Sequence, residues 1–168
     1  MIEVVIDSVR ASLVTPQKMI LLRETAQDRY LPIFIGTCEA EAIVIELLNQ
    51  RVPRPLTHDL LKSVIGALEG RVSHVLVSEL RNDIFFAKII IDLNGEKIEV
   101  DSRPSDAMAL AVRTKSSVFV AESVMDEAGI SSEKDILGEV DVQEPSLEEL
   151  GPFRDFVDSL DLDDFTSD

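Results

Sequence analysis

Two tight-turn signals divide the middle of the chain into three apolar runs, and this feature constrains the fold most. Residues 72–80 and 97–100 alternate between apolar and polar side chains, and residues 84–91 between them are mostly apolar. Arg81-Asn82-Asp83 separates the first two runs, and Asn94-Gly95, a strong hairpin signal, separates the last two. The pattern predicts three consecutive strands joined by short turns, which pair in antiparallel fashion.

Four further segments have the short apolar composition of strands. They are residues 1–14, 19–22, 29–35 and 117–120. Pro32 has no N–H group to donate to a neighbouring strand. The third of these segments is therefore expected at the edge of a sheet or at a bulge.

Four helices are predicted between and after the strands, starting near residues 37, 57, 102 and 122. Thr37, Thr57 and Ser102 are predicted as their N-caps, and Gly70 as the C-terminal cap of the second. The first helix is expected to end near Arg51, because Pro53 follows it. Strict alternation of strands and helices is absent, which excludes a doubly wound fold. The sequence predicts an α+β domain with a mixed, largely antiparallel sheet packed with helices.

Acidic residues are concentrated at the C-terminal end of the chain. Residues 1–121 contain 14 Lys and Arg against 16 Asp and Glu, whereas residues 122–168 contain 2 against 16. The net charges are therefore −2 and −14. We predict a folded domain over residues 1–130, an acidic linker over 131–146, and a C-terminal amphipathic helix with an acidic end over 147–168.

Cysteine content and hydropathy exclude several classes of protein. Cys38 is the single cysteine, which excludes an internal disulfide framework and a multi-cysteine zinc site. No apolar run approaches the roughly 20 residues that a membrane span needs, so no membrane partner is expected. The first ten residues lack the features of a signal peptide, which predicts a cytoplasmic location. Buried-looking helices in so short a chain indicate a homo-oligomer, with a dimer as the simplest case.

Polar side chains gather at three predicted helix starts, at residues 36–39, 54–59 and 102–106. Helix starts present free N–H groups and the positive end of the helix dipole, so they attract anions. Each residue also has an ordinary structural explanation. The hydroxyl groups can act as caps, the acids can complement the helix dipole, and the arginines can pair with those acids.

Three ordered motifs resemble one known family. PIFIGTCEAEAI (32–43), RPLTHDLL (54–61) and SRPSDAMALAVR (102–113) resemble segments of the bifunctional nuclease domain family. The resemblance extends over residues 1–125. It implies an α+β domain and, as in the plant members, combined RNase and DNase activity.

Phosphodiester hydrolysis needs an activated water, stabilisation of phosphate charge and, in most enzymes, a divalent metal ion. On chemical grounds we predict Glu39 and Asp106 as ligands of Mg²⁺ or Mn²⁺. His58 is predicted as the general base, with Asp59 orienting it or joining the metal shell. The predicted phosphate-binding residues are Arg54, Thr57, Arg103 and Ser105. RNA or DNA is then the expected partner, provided that the three helix starts meet in one cleft.

Charge keeps a second function open. Two like charges about 10 Å apart repel by roughly 0.4 kcal/mol in water, so an acidic segment near the cleft would oppose nucleic-acid binding. The alternative is a non-enzymatic regulatory or protein-interaction module with an acidic tail. Binding of a small anionic metabolite at a helix start is a third, weaker alternative.

Overall fold

Seven strands form one mixed sheet in residues 1–11 and 18–131, the part of the chain that the computed structural model describes. The strands are β1 (Ile2–Ala11), β2 (Lys18–Glu24), β3 (Tyr30–Ile35), β4 (Gly70–Arg81), β5 (Ile84–Leu93), β6 (Glu96–Ser102) and β7 (Ser117–Val120). Their order is β3-β2-β1-β7-β4-β5-β6. Only β7 and β4 run parallel, and the other neighbouring pairs are antiparallel. The predicted α+β class is confirmed.

The β7 strand joins two antiparallel three-stranded units. On one side Ile2 to Val4 of β1 pair with Val120 to Val118, and on the other side β7 runs beside β4. The unit of β1 to β3 comes from the start of the chain, and the unit of β4 to β6 comes from its middle. The two units therefore share one sheet only through the four residues of β7.

Both predicted turns have the backbone that short hairpins require. Asn82 and Asp83 have φ angles of 51° and 61°, and Asn94 and Gly95 have 53° and 88°. Two consecutive positive φ angles are the mark of the tight turn whose twist matches the flanking strands. The β4–β5 and β5–β6 hairpins are thus confirmed.

Strand β3 is an edge strand, as the proline in it predicts. In the described part of the chain β3 pairs with β2 alone, where Pro32 stands opposite Leu21. Alternation along β3 buries Leu31 and Ile33 and leaves Phe34 exposed. This strand therefore delivers one aromatic ring to the surface, next to the start of the first helix.

Four helices pack with the sheet, and their first residues lie within two positions of the predicted starts. They are α1 (Thr37–Leu47), α2 (Thr57–Ala67), α3 (Pro104–Thr114) and α4 (Glu122–Ala128). Gly36, Leu56 and Arg103 hold the N-cap positions of the first three, and none makes a side-chain cap bond. The predicted caps Thr37, Thr57 and Ser102 are wrong. Thr37 and Thr57 are instead the first helical residues, and Ser102 is the last residue of β6.

The predicted C-terminal ends of α1 and α2 lie further along the chain than the observed ends. Helix α1 ends at Leu47, because Asn49 already has a positive φ of 51°. Gly70 opens β4 instead of capping α2, and Glu69 takes the left-handed backbone there with a φ of 62°. Polar residues with positive φ thus provide turns where the sequence pointed to glycine or proline.

Helix α3 lies at the centre of the core. Its run from Ala107 to Ala111 is buried and packs against α1, α2 and the sheet. The small alanines allow this close approach from several sides. Helix α2 is the opposite case, since His58 is its one buried residue.

The proposed end of the domain lies close to the end of the described residues. Ile130 exchanges two backbone hydrogen bonds with Tyr30, of 2.8 and 2.9 Å. The predicted linker beyond residue 131 and the predicted helix and acidic end over 147–168 lie outside the described residues. No helix among the described residues is long and apolar enough to cross a membrane.

Candidate active site

A cavity of about 530 Å³ lies where the starts of α1, α2 and α3 meet. Its polar lining includes six side chains: Glu39 and Glu41 from α1, Thr57 and His58 from α2, and Arg103 and Asp106 from the start of α3. Five of these six were predicted from the sequence as site residues. The convergence of three helix starts in one cleft, on which that prediction depended, is therefore present.

Arg103 bridges two carboxylates across this cavity. Its Nη2 donates to Glu39 Oε1 at 2.7 Å, and its Nε donates to Asp106 Oδ2 at 2.7 Å. Hydrogen bonds to Asp106 and Glu39 raise the pKa of Arg103, which stays charged. The side chain is nevertheless 66% exposed, so one face of the guanidinium remains open to solvent.

Gly36 leaves the space that the Glu39 carboxylate occupies. A Cβ added to Gly36 would collide with Glu39 Oε2. The glycine thus matters here for close approach and not for its backbone angle, since its φ of −69° suits any residue. A larger residue at this position would push the Glu39 carboxylate away from its present place.

Asp106 also holds the ring of His58. His58 Nε2 lies 3.1 Å from Asp106 Oδ1, and the imidazole is nearly buried. Burial raises the pKa of Asp106, but hydrogen bonds from Arg103 and His58 outweigh it and keep the pKa below its ordinary value. An ionised Asp106 only accepts, so the neutral imidazole carries its proton on Nε2.

The second ring nitrogen of His58 is then a proton acceptor. Among the described residues Nδ1 has no hydrogen-bond partner. No buried side-chain nitrogen or oxygen in this part of the chain lacks a partner, so Nδ1 keeps contact with solvent. His58 lines the cavity, and a basic ring nitrogen there can take a proton from a water positioned at a phosphate.

Asp59 does not make the contact assigned to it. Its Oδ1 accepts from Arg113 Nε at 2.6 Å, and its Oδ2 accepts from the N–H of Leu56 at 2.8 Å. Burial alone would raise the pKa of Asp59. These two bonds outweigh burial and hold the pKa below its ordinary value. The orienting contact that the sequence assigned to Asp59 is therefore made by Asp106.

Arg113 is the residue that sequence reasoning missed. Its side chain is 2% exposed, and besides Asp59 it donates to the carbonyl oxygens of Ala109 and Ala42, at 2.8 and 3.0 Å. These bonds connect α1, α2 and α3 directly behind His58. The sequence contained a signal for this contact. Arg113 ends the apolar run of α3, and Asp59, which follows His58 in the chain, is an acid that can pair with it.

The remaining predicted phosphate-binding residues are divided between locations. Thr57 lines the cavity, and Ser105 lines a second cavity on the other side of Arg103. Arg54 is exposed on the loop before α2 and lines neither of these two cavities. The structure thus brings Arg103 to the centre of the site and leaves Arg54 apart.

The predicted metal ligands do not form an ion site in their present arrangement. Within residues 1–11 and 18–131 no group of three or more His, Cys, Asp and Glu side chains is placed to hold a metal ion. Glu39 and Asp106 both accept from Arg103, whose guanidinium lies where a shared cation would stand. A divalent ion would have to displace it.

Charge in the cavity favours cations over anions. Three carboxylates, Glu39, Glu41 and Asp106, line it against one guanidinium. With a neutral His58 the charged lining therefore has a net charge of −2. Among the charged side chains of the described lining, only Arg103 attracts a phosphate.

Comparisons with known proteins place the three motifs in a wider group. Residues 20–133 match the family model described as Bifunctional nuclease domain. An uncharacterized protein of Mycobacterium tuberculosis (strain H37Rv) is 40% identical over 165 residues, 97% of each chain. Bifunctional nuclease 2 of Oryza sativa subsp. japonica is 29% identical over 121 residues, 70% of this chain and 37% of the rice protein. Bifunctional nuclease 1 of Oryza sativa subsp. indica is 26% identical over 115 residues, 67% and 35% of the two chains.

Proposed function

This chain belongs to the bifunctional nuclease domain family, and from that premise we propose that it hydrolyses phosphodiester bonds of RNA or DNA. The reaction is assigned to the cavity at the starts of α1, α2 and α3. The observation that carries the proposal is the 3.1 Å contact between His58 Nε2 and Asp106 Oδ1 beside an exposed arginine. In this proposal the held imidazole is the base and the exposed arginine is the phosphate-binding group.

His58 acts as the general base in this proposal. Asp106 fixes the ring through Nε2, so Nδ1 removes a proton from the attacking water. Histidine suits this role because the free imidazole titrates near neutral pH. Positioned proton transfer of this kind contributes about 10²- to 10⁴-fold in rate.

Arg103 stabilises the phosphate. A guanidinium donates two parallel hydrogen bonds to phosphate oxygens, with a geometry that lysine cannot match. Arg103 is 66% exposed in its present bonds, whereas its partners Glu39 and Asp106 are 17% and 30% exposed. Because water reaches the guanidinium, a phosphate can approach it and replace one of the two carboxylates as its partner.

Dependence on Mg²⁺ or Mn²⁺ is proposed on charge alone. The net charge of −2 in the charged lining repels a phosphate, and a divalent cation near Glu39 and Asp106 would offset it. This requires Arg103 to release both carboxylates. Incubation with Mg²⁺, with Mn²⁺ or with EDTA tests the point, and equal cleavage in EDTA would remove the ion from the proposal.

The test of the nuclease is cleavage of labelled single-stranded RNA and DNA by the full chain and by His58→Ala. We expect the variant to lose at least about 100-fold in rate. His74→Ala is the matched control, because His74 is the second of two histidines and lies in β4, away from the cavity. Equal rates for His58→Ala and the wild type, with both folded by circular dichroism, would reject the assignment.

The exposed apolar face of α2 favours a second candidate, an interaction module that works as a homodimer or with a protein partner. Leu60, Leu61, Val64 and the following Leu68 are exposed together on one side of this helix. Exposed apolar patches of this kind are typical of interfaces. Light scattering that gives a dimer, together with silence on all nucleic-acid substrates, would support this candidate over the nuclease.

A further inference from the structure

A second cavity, of about 330 Å³, lies on the other side of Arg103. Phe34 from β3, Ile84 and Phe85 from β5, and Arg103, Pro104 and Ser105 at the start of α3 contribute to its walls. Arg103 is the one charged residue among the described residues of its lining. The same arginine therefore lines both cavities.

The aromatic ring of Phe34 stands open in this cavity. Phe34 is 66% exposed on an edge strand, and Ile84 at the nearby hairpin turn is also exposed. Single exposed apolar side chains are ordinary. An exposed ring, a second phenylalanine and a guanidinium around one concavity form a combination typical of sites for flat ligands that carry a negative group.

Ser105 adds a polar group to the same wall. The residue is 6% exposed, and its hydroxyl has no hydrogen-bond partner among the described residues. Because no buried side-chain oxygen in that part of the chain lacks a partner, this hydroxyl keeps contact with solvent. Since Ser105 lines the cavity, its hydroxyl is available to bond a phosphate or the edge of a base.

We propose that the second cavity is a base-binding subsite for single-stranded nucleic acid. An unpaired base stacks on Phe34, and its phosphate bonds Arg103 and the Ser105 hydroxyl. The proposal rests on the nuclease function of the adjoining cavity and names its substrate as single-stranded. Stacking on exposed aromatic rings is how proteins hold unpaired bases of any sequence.

The charged linings of the two cavities differ in sign. Among the described residues the charged lining is −2 in the first cavity and +1 in the second, with Arg103 counted in both. In this proposal a phosphate therefore approaches Arg103 from the side of Phe34. The base next to the reacting phosphate then lies in the second cavity, where no described carboxylate lines the wall.

A duplex does not fit this subsite. In a duplex, the neighbouring base pairs cover both faces of each base. Phe34 can therefore stack only on an unpaired base. We expect a single strand to bind more tightly than a duplex of the same sequence at the same salt concentration.

The first experiment uses the absence of tryptophan from the chain. Phe34→Trp introduces one reporter in the second cavity, and Leu68→Trp introduces one at a site that is 68% exposed and outside both cavities. Titration with a phosphorothioate octathymidylate, which resists hydrolysis, is expected to quench the fluorescence of Phe34→Trp to saturation. The fluorescence of Leu68→Trp is expected to stay unchanged, as is that of Phe34→Trp with a duplex.

The second experiment measures affinity for the same oligonucleotide by fluorescence anisotropy. Loss of one stacked base is expected to weaken binding of Phe34→Ala by about fivefold or more, the lower end of the range for base stacking. Phe34→Tyr keeps a ring and is expected to bind like the wild type. Leu68→Ala is the control for removal of an exposed apolar side chain.

The outcomes separate this subsite from the nuclease activity. If the wild type binds, Phe34→Ala binds more weakly and nothing is cleaved, the subsite stands and the nuclease is rejected. If the wild type cleaves while Phe34→Ala and Leu68→Ala match it in affinity, the subsite is rejected and the nuclease stands. A wild type that binds no oligonucleotide, or binds single strand and duplex alike, overturns the subsite.

Discussion

Two arginines at opposite ends of α3 bind acids from neighbouring helices, but in opposite surroundings. Arg113 is 2% exposed and pairs with Asp59 of α2, whereas Arg103 is 66% exposed and pairs with Glu39 of α1. Arg113 also donates to the backbone carbonyls of Ala42 and Ala109. An arginine–carboxylate pair thus has a buried guanidinium at one end of the helix and an exposed guanidinium at the other.

The difference teaches which contacts build the site and which are free to change during a reaction. Removing one partner of a buried pair leaves the other charge without compensation, and this is strongly destabilising. An exposed pair contributes little, because water replaces either partner. Arg113 therefore holds the three helices in place, and Arg103 is the group that a substrate can reach.

Arg113→Ala tests the buried end and is expected to have the largest effect. Loss of the side chain removes the charged donor of Asp59 and one donor from each of two carbonyl groups. The free energy of unfolding should fall by about 3–5 kcal/mol, measured by urea denaturation. Arg103→Ala is the control and should lower it by less, because the Arg103 guanidinium is 66% exposed and water replaces part of what it loses. Equal losses in the two variants would break the comparison.

Arg103→Ala tests the exposed end by activity. Removal of one donor that stabilises charge in a transition state lowers the rate by about 10²- to 10³-fold, and we expect a loss of this size in kcat/KM. Arg103→Lys should recover only part of it, since an ammonium group cannot form the paired bonds. Full activity of the alanine variant would show that Arg103 serves structure alone.

Asp106→Asn tests the carboxylate that contacts both Arg103 and His58. We expect kcat to fall by about 10- to 100-fold, since the partner that orients the imidazole is weakened. The pKa of Asp106 lies below its ordinary 3.8, so its ionised form stabilises the folded chain above that value. This contribution is lost as the pH falls through the lowered pKa.

Chemical denaturation between pH 6 and pH 3 measures the second effect. The advantage of the wild type over Asp106→Asn in free energy of unfolding should be largest at pH 6 and shrink at the acid end. An advantage that grew on acidification would contradict the direction of the pKa shift.

Glu39→Gln has the smallest expected effect. Removing one negative charge from the cavity should tighten single-strand binding in EDTA by up to about fivefold at low salt, from a repulsion of about 1 kcal/mol at short range in water. The gain should shrink as salt is added. Glu41→Gln removes a charge from the same cavity but not a partner of Arg103, so it isolates the effect of the pair. A reversed sign in Mg²⁺, for Glu39→Gln alone, would support an ion at Glu39.

The sequence predicted local features well and long-range contacts only in part. The Asn94-Gly95 turn and the edge position of Pro32 follow from backbone chemistry within a few residues. The convergence of Glu39, His58 and Asp106 was only a condition of the prediction, because it depends on how α3 packs against α1 and α2.

Two features could not be predicted from local pattern. The partner of His58 was assigned to Asp59 by proximity in the chain, but Asp59 turns towards Arg113 in the folded structure. The open ring of Phe34 depends on the register of β3, where a shift of one residue would have buried it. Contacts between distant residues decide both cases.

The position of β7 has a consequence for synthesis on the ribosome. The strand that unites the sheet is among the last elements of the described chain to be made, and it pairs Ile2 with Val120. Each three-stranded unit has its own local turns and can form early, but such distant pairing is slow and follows the local contacts. A nascent chain halted before residue 117 would therefore carry two unjoined sheet edges, β1 and β4, ready to pair wrongly with other chains.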